Sequence, residues 1–312
     1  MLHAASQTGG GPGGRPLGRS RWAVAALVLG GALLVLSIAL TSPLGGHVRD
    51  SLASLPPGPR TPPAAPGSGT GQTRYRIVGC VSHGEGAVRG GPARREVAIG
   101  FDDGPWTQTP AFVRMLERAG VRATFFMIGR QVTPTYRSTL LRELRDGDVL
   151  GDHTYSHPDL TRSPEVRAQL LRTIGVIRGL TGYTPCIFRP PYGAYDTSVL
   201  RTARSLGLAT VLWNDDPADW SLPGTAAIVH RVLAGVKPGA IIISHDGGGF
   251  RGQTLAAYPA IIAALHRRRY RIVTLLELLG FHPVYVPCNR LCDGLGVGRA
   301  QLPRDAVIRR AP

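Results

Sequence analysis

Lysine is nearly missing from this chain: Lys237 is the only one, so nearly all of the 36 basic residues are arginine. Cysteine is sparse. Cys80, Cys186, Cys288 and Cys292 include no CxxC pair, which argues against a structural zinc knuckle. Helix-turn-helix, zinc-finger and ribonucleoprotein signatures are absent, so no nucleic-acid partner is expected. Acidic residues number only 20, and the net charge of +16 points to an anionic neighbour. A membrane surface or an acidic wall polymer outside the cell suits that balance. In an exported domain disulfides are allowed. Cys288 and Cys292 would close a small loop, or one of them would pin the tail to Cys80. Cys186, just before a buried strand, reads as a core thiol. The spacing leaves the connectivity open.

What is present falls into blocks. Residues 1–21 are glycine-rich, carry Arg15, Arg19 and Arg21, and contain no acidic residue. Residues 22–40 form an uncharged run of about nineteen residues, long enough to cross a bilayer as a helix. Residues 22–41 are therefore expected to anchor the chain in a lipid bilayer as a single pass. The basic tail would be cytoplasmic and the remainder outside the cell. Secretion after signal cleavage is the alternative, and the length of the run favours the anchor. Residues 42–73, rich in Pro, Gly, Ser and Thr, read as an extended linker. A lead-in segment, 74–95, holds one expected strand at Tyr75-Arg76-Ile77-Val78. The main domain spans 96–282, and 283–312 is expected to be a C-terminal tail. The chain is expected to be a monomer.

From Glu96 onward, short apolar runs alternate with amphipathic segments. Strands are predicted at 97–99, 123–128, 149–153, 187–188, 210–213, 240–244 and 270–273. Helices are predicted from a Thr109-Pro110 cap to Gly120, from Ser163-Pro164-Glu165 to Gly179, and near 197–206, 226–234 and 255–268. Such alternation implies parallel pairing in an α/β fold. Seven units would close as a distorted (β/α)7-type barrel or open as a doubly wound sheet, and the barrel is favoured.

Polar groups gather where the predicted strands end, which is where parallel α/β folds place chemistry. Gly100-Phe101-Asp102-Asp103-Gly104-Pro105 holds adjacent carboxylates at the end of the first strand. They repel unless a cation lies between them or one keeps a proton. Read alone, the segment is equally a turn that caps its own backbone. After the third strand, Gly151-Asp152-His153-Thr154-Tyr155-Ser156-His157 offers histidines at i and i+4, expected to face one point across a helical turn. With Asp103 they make a ligand set for zinc or a similar divalent ion, with positions left for water. Phe188-Arg189-Pro190-Pro191-Tyr192-Gly193 follows the fourth strand. Its prolines fix where Arg189 points, and the bland reading is a salt bridge at the barrel rim. Trp213-Asn214-Asp215-Asp216-Pro217-Ala218-Asp219-Trp220 follows the fifth, with aromatics suited to a sugar groove or to the core. Ile243-Ser244-His245-Asp246 follows the sixth. Alone, His245 would be a packed, hydrogen-bonded residue. Five strand ends that each offer a polar group are hard to obtain from packing alone.

The ordered set Phe-Asp-Asp-Gly-Pro, His-x3-His, Arg-Pro-Pro-Tyr-Gly, Asp-x2-Asp-Trp and Ile-x-His resembles the NodB-homology polysaccharide deacetylases, family four of the carbohydrate esterases. The resemblance covers roughly residues 96–280. It implies a distorted (β/α) barrel and metal-dependent hydrolysis of N-acetyl groups from amino-sugar polymers. By motif, Asp102 resembles the catalytic base, and Asp103, His153 and His157 resemble the metal ligands. The metal implied is divalent, zinc first, with cobalt, nickel or manganese as alternatives. Arg189 would orient Asp102 and balance its charge, and Tyr192 would offer its backbone N–H to the oxyanion. His245 resembles the general acid, tuned by Asp219. Trp220, Pro190, Tyr192 and Ile243 would line the substrate groove. Three positions depart from the family pattern. Gly100 replaces Thr or Ser, Ile243 replaces Leu, and Asp152 replaces Asn, which is expected to add negative charge beside His153. None removes a catalytic group.

The partner so implied is an N-acetylated glycan, peptidoglycan or a chitin-like polymer, with peptidoglycan favoured by the anchor, linker and arginine-rich surface. Chitooligosaccharide deacetylase and acetylxylan esterase are the alternative activities. A non-catalytic glycan-binding protein is the alternative of another class, and the intact Asp102, Asp103, His153, His157 and His245 argue against it.

Overall fold

The computed structural model describes residues 73–84, 86–288, 292 and 295–310. The expected basic tail, the bilayer anchor at 22–41 and the linker up to residue 72 lie outside the described residues. No helix among the described residues is long and apolar enough to cross a membrane.

In chain order the strands are β1 (Arg74–Val81), β2 (Ala87–Val88), β3 (Glu96–Gly104), β4 (Thr124–Met127), β5 (Val149–Asp152), β6 (Ile187–Phe188), β7 (Ala209–Val211), β8 (Ala240–His245), β9 (Arg271–Val273), β10 (His282–Cys288), β11 (Val297–Gly298) and β12 (Val307–Ile308). The α-helices are α1 (Thr109–Ala119), α2 (Arg137–Asp146), α3 (Val166–Thr181), α4 (Thr197–Ser205), α5 (Thr225–Gly235), α6 (Gly252–Arg267) and α7 (Leu275–Leu279). The strands β3 to β9 are the seven predicted from the apolar runs. The helices α2 and α7 are additions. In α2 the apolar stripe is narrow, with Leu140 and Leu144 its buried leucines. The five-residue α7 is announced by a Thr274–Glu277 capping box.

The main sheet is parallel, in the order β2-β7-β6-β5-β4-β3-β8, with β9 also paired to β3. Asp215, just past β7, bridges Ile242 of β8, and its carbonyl accepts from Ile243 N at 3.0 Å. The strands thus curl into a half-barrel that fits a (β/α)7 arrangement. Alternation along β3 sets its two faces. Val97, Ile99 and Phe101 belong to the cluster beneath the helices. The ring of Phe101 lies 5.1 Å from Phe112, 5.3 Å from Phe125 and 4.8 Å from Tyr258. Full burial of each such ring contributes about 1.5–3 kcal/mol by transfer. Ala98 belongs to a second cluster with Phe126, Ile187 and Ile241. On its side of β3 lie Gly100 and Asp102. A Cβ at Gly100 would stand 2.6 Å from Arg189 Nη1, so glycine leaves the room that the guanidinium occupies.

A second, smaller sheet has the order β11-β1-β10-β12. The segment expected to be a tail supplies most of it, with β10 antiparallel to β1 from Arg74 opposite Cys288 to Val81 opposite His282. Pro283 and Pro287 lie within that strand, and proline within an apolar run speaks against a strand by sequence. Two disulfides are present. Cys288–Cys292 closes the small loop, and Cys80–Cys186 ties β1 to the segment before β6. Cys186 is therefore a cross-link between the two sheets and not a free core thiol.

Candidate active site

Successive residues of a strand point to opposite faces, so adjacent aspartates should not share one site. β3 breaks that rule at its end. Its register against β4 shifts between Asp102 and Gly104, and Asp103 takes a left-handed φ of 70°. Both carboxylates thereby face His153, whose Nε2 lies 3.9 Å from Asp102 Oδ2 and 3.5 Å from Asp103 Oδ1. Asp102 is buried and its Oδ1 accepts from Arg189 Nη1 at 2.7 Å. Arg189 is itself fully buried. Its Nε and Nη2 donate to the carbonyls of Val211 and Leu212, each at 3.2 Å, and its guanidinium lies 4.1 Å over the Phe126 ring. The rim salt bridge is excluded: this is an interior ion pair.

The histidine pair is not on a helical turn. After β5 the chain makes a bend in which Thr154 and His157 have φ of 67° and 65°. Local bonds hold that bend. Asp152 Oδ1 accepts from Thr154 N at 2.8 Å, and Thr154 Oγ1 accepts from His157 N at 3.0 Å. Gln169 of α3 reaches in from beneath. Its Oε1 accepts from Tyr155 N at 3.0 Å and Ser156 N at 2.9 Å, and its Nε2 donates to Ser156 Oγ at 2.9 Å. His153 Nδ1 donates to the Arg189 carbonyl at 2.6 Å, which leaves Nε2 as the lone-pair nitrogen toward Asp103. His157 Nδ1 hydrogen-bonds the Tyr192 hydroxyl at 3.2 Å, and its Nε2 lies 3.2 Å from Asp103 Oδ1.

Asp103, His153 and His157 each present one ligand atom, all within 4.8 Å of one another. Asp103 Oδ1 is buried without a hydrogen-bond partner. A buried carboxylate oxygen with no proton donor, facing two imidazole nitrogens, fits a divalent ion of the zinc type. Burial opposes the charge on Asp103, yet the approach of His153 and the charges of His153, His245 and His157 hold its carboxyl well below the usual range. Burial and the neighbouring His153 push His157 down to about 4. Burial pushes the Asp152 carboxyl well above the usual range.

Across the cavity, the buried Asp219 holds His245. Its Oδ1 meets His245 Nδ1 at 2.8 Å, and its Oδ2 accepts from His245 N at 2.9 Å and Thr254 Oγ1 at 2.8 Å. Burial works against the imidazolium of His245, but the bond to Asp219 and the charges of Asp219, Asp102 and Asp103 outweigh it and raise the histidine.

One cavity of about 470 Å³ is lined by Asp102, Asp103, His153, His157 and His245, with Pro190, Tyr192, Trp220 and Ile243. Arg189 and Asp219 stand directly behind Asp102 and His245. All the residues expected from sequence are thus brought together. Tyr192 is 71% exposed, has φ of 60°, and sets its ring edge-on to His157. Among the described residues, six of the seven non-glycine residues with positive φ, all but Arg269, lie in these loops, as expected where function fixes the backbone against local preference. Sequence reading missed Gln169 and Thr254 and gave no role to the pocket-lining Asp216, whereas Trp213, one of the aromatics suited to a sugar groove, does line the cavity. For Gln169 a signal existed: it shares the buried face of α3 with Leu170, Thr173 and Ile177, where a side-chain amide needs a partner.

Among known proteins, the polysaccharide deacetylase family model matches residues 89–211. A peptidoglycan-N-acetylglucosamine deacetylase of Bacillus cereus is 37% identical over 195 residues, covering 59% of this chain and 88% of that protein. A chitooligosaccharide deacetylase of Sinorhizobium fredii is 39% identical over 202 residues, covering 60% of this chain and 93% of that protein. The crystal structure of a peptidoglycan N-acetylglucosamine deacetylase in complex with 4-naphthalen-1-yl-N-oxidanyl-benzamide aligns with a TM-score of 0.60 at 33% identity, covering 62% of this chain and 92% of that one.

Proposed function

This chain belongs to the polysaccharide deacetylase family, and we propose that it removes N-acetyl groups from amino-sugar polymers, cell-wall peptidoglycan first among them. The observation that carries this reading is the convergence on one cavity of the Asp102–Arg189 pair, the Asp103–His153–His157 set and the His245–Asp219 pair.

Asp103, His153 and His157 would hold a divalent ion, zinc by its donor set or else cobalt, nickel or manganese, which when bound supplies Lewis-acid polarisation of the acetamide carbonyl and more acidic water. Asp102, fixed by Arg189, takes a proton from the attacking water as its oxygen bonds to the acetyl carbon. The backbone N–H of Tyr192 donates to the oxyanion that forms. His245, oriented and favoured as the cation by Asp219, gives its proton to the sugar nitrogen as the C–N bond breaks. Acetate and a free amine leave. An amide anion is too poor a leaving group without that proton.

Residues 22–41 are proposed to anchor the chain with this domain outside the cell, a reading supported by the uncharged run, the basic residues before it and the linker after it. Protease added to intact cells is expected to trim the domain, and protection would overturn that topology. The activity test is acetate release by the full chain from peptidoglycan, chitooligosaccharides and acetylated xylan, with chelation and zinc restoration. Chelator-sensitive release, greatest from peptidoglycan, is expected. A preference for xylan would make the chain an esterase. No release from any substrate, with metal bound, would make it a glycan-binding protein.

A further inference from the structure

Apolar exposure among the described residues is concentrated at one end of the barrel. Of the eight exposed large apolar residues, Trp106, Tyr192, Trp220, Leu222 and Phe250 lie on loops that follow β3, β6, β7 and β8. Tyr192 and Trp220 line the cavity, whereas Trp106 and Phe250 do not. Phe250 is nonetheless 72% exposed, more than any other of the eight.

The loops that carry Trp106 and Phe250 are fastened to each other. Thr109, expected to cap α1, instead begins the helix, and its hydroxyl donates to Asp246 while accepting from Trp106 N at 2.7 Å. Gln108 Oε1 accepts from Arg251 N. Asp246 N donates to the Asp102 carbonyl at 3.1 Å, and a Cβ on Gly248 would run into Asp103 Oδ2. The loop is also fastened to the cavity wall. The guanidinium of Arg251, a buried residue, donates to the carbonyls of Gly247 at 2.7 Å, and of Gly248 and Trp220 at 3.2 Å each. Finally, the Phe250 ring rests where a Cβ of Gly252 would come within 2.5 Å of it. An exposed ring on a backbone held this firmly loses little entropy when something covers it, and exposed apolar surface beside a polar cleft marks a binding surface.

We propose that Phe250 and Trp106 form an aromatic ledge outside the cavity that stacks on the apolar C–H faces of pyranose rings flanking the sugar to be deacetylated. The occupant is the continuing glycan chain, since the loop that carries Phe250 meets Asp103 at Gly248 and the Trp220 carbonyl at Arg251. This inference rests on the deacetylase reading above. It makes the chain selective for glycans of several residues over short ones.

The test compares the full-length wild type with Phe250→Ala and Phe250→Trp on N-acetylglucosamine oligomers of two and six residues. Acetate release gives kcat/KM for each, and Asp102→Asn versions of the same proteins give binding by calorimetry. Wild type is expected to prefer the hexamer. Phe250→Ala is expected to cut the hexamer-to-dimer ratio by about three- to tenfold through KM, the size of one lost aromatic contact. Phe250→Trp is expected to keep the ratio, which separates stacking from any loss of fold. An unchanged ratio in Phe250→Ala overturns the ledge, as does an equal loss on both oligomers. If wild type releases no acetate but binds the hexamer more tightly in a Phe250-dependent way, the deacetylase reading falls and the ledge stands.

Discussion

His153 and His245 stand in the walls of one cavity, but their second ring nitrogens meet different partners. For His153 that partner is the neutral carbonyl of Arg189 at 2.6 Å; for His245 it is the carboxylate of Asp219 at 2.8 Å. A carbonyl fixes one neutral tautomer and leaves Nε2 with its lone pair, as a ligand requires. A carboxylate stabilises the cation, as a proton donor requires. His157 belongs to the first region, since burial and His153 push it down to about 4, while the carboxylates around His245 raise it. The lesson is that the role of an imidazole is written into what lies behind it.

Asp103→Asn attacks the first region and is expected to have the largest effect. It keeps the shape and removes the anionic ligand, so the protein should emerge from dialysis without metal and release acetate at background rate. His245→Gln attacks the second. It should lower kcat by roughly 10²–10⁴-fold, the usual contribution of a general acid, while elemental analysis finds the metal still bound. If His245→Gln lost metal, or Asp103→Asn kept both metal and rate, the two regions would not be separable.

Gln169→Leu sharpens the comparison from outside the cavity. It removes the acceptor of two backbone N–H groups between His153 and His157, which should weaken zinc binding about 10–100-fold in competition with a chelator. Gln169→Glu keeps that acceptor and should recover most of the affinity. An equal loss in both variants would show a packing role instead.

The parts of this site that were legible in sequence are those fixed by local pattern. Apolar runs of the right length located β3 to β9, and the polar residues after them fell at the strand ends because parallel strands all end on one side. The illegible parts depend on distant neighbours. Nothing near Asp103 announces that β3 will slip its register against β4 and turn both carboxylates the same way. The i, i+4 spacing of His153 and His157 suggested a helical turn, but the bend is imposed by Gln169 and by the bonds of Asp152 and Thr154. Sequence does not show that the Asp152 carboxyl will be fully buried. The pairing of β10 with β1 spans most of the domain, and prolines in β10 hid the strand that makes it, while Cys186 and Cys80 pair across 106 residues.

The smallest expected effect isolates the electrostatic half of the comparison. Asp219→Asn preserves the size of the side chain and an oxygen able to accept from His245, but it deletes the nearest of the charges that together oppose burial. Burial is then opposed only by the charges of Asp102 and Asp103, and His245 should fall from its raised position toward the ordinary histidine value of about 6.5. The general acid acts only while protonated, so the high-pH limb of the kcat/KM profile should move to lower pH. At a pH above the shifted limb each unit of movement lowers the rate about tenfold. Metal content should be unchanged, because Asp219 touches none of Asp103, His153 or His157. A low-pH limb that stays in place while the high-pH limb moves would assign the latter to His245. A variant slowed equally at every pH would mean that Asp219 serves only to orient the ring, and that His245 draws its charge from the carboxylates across the cavity.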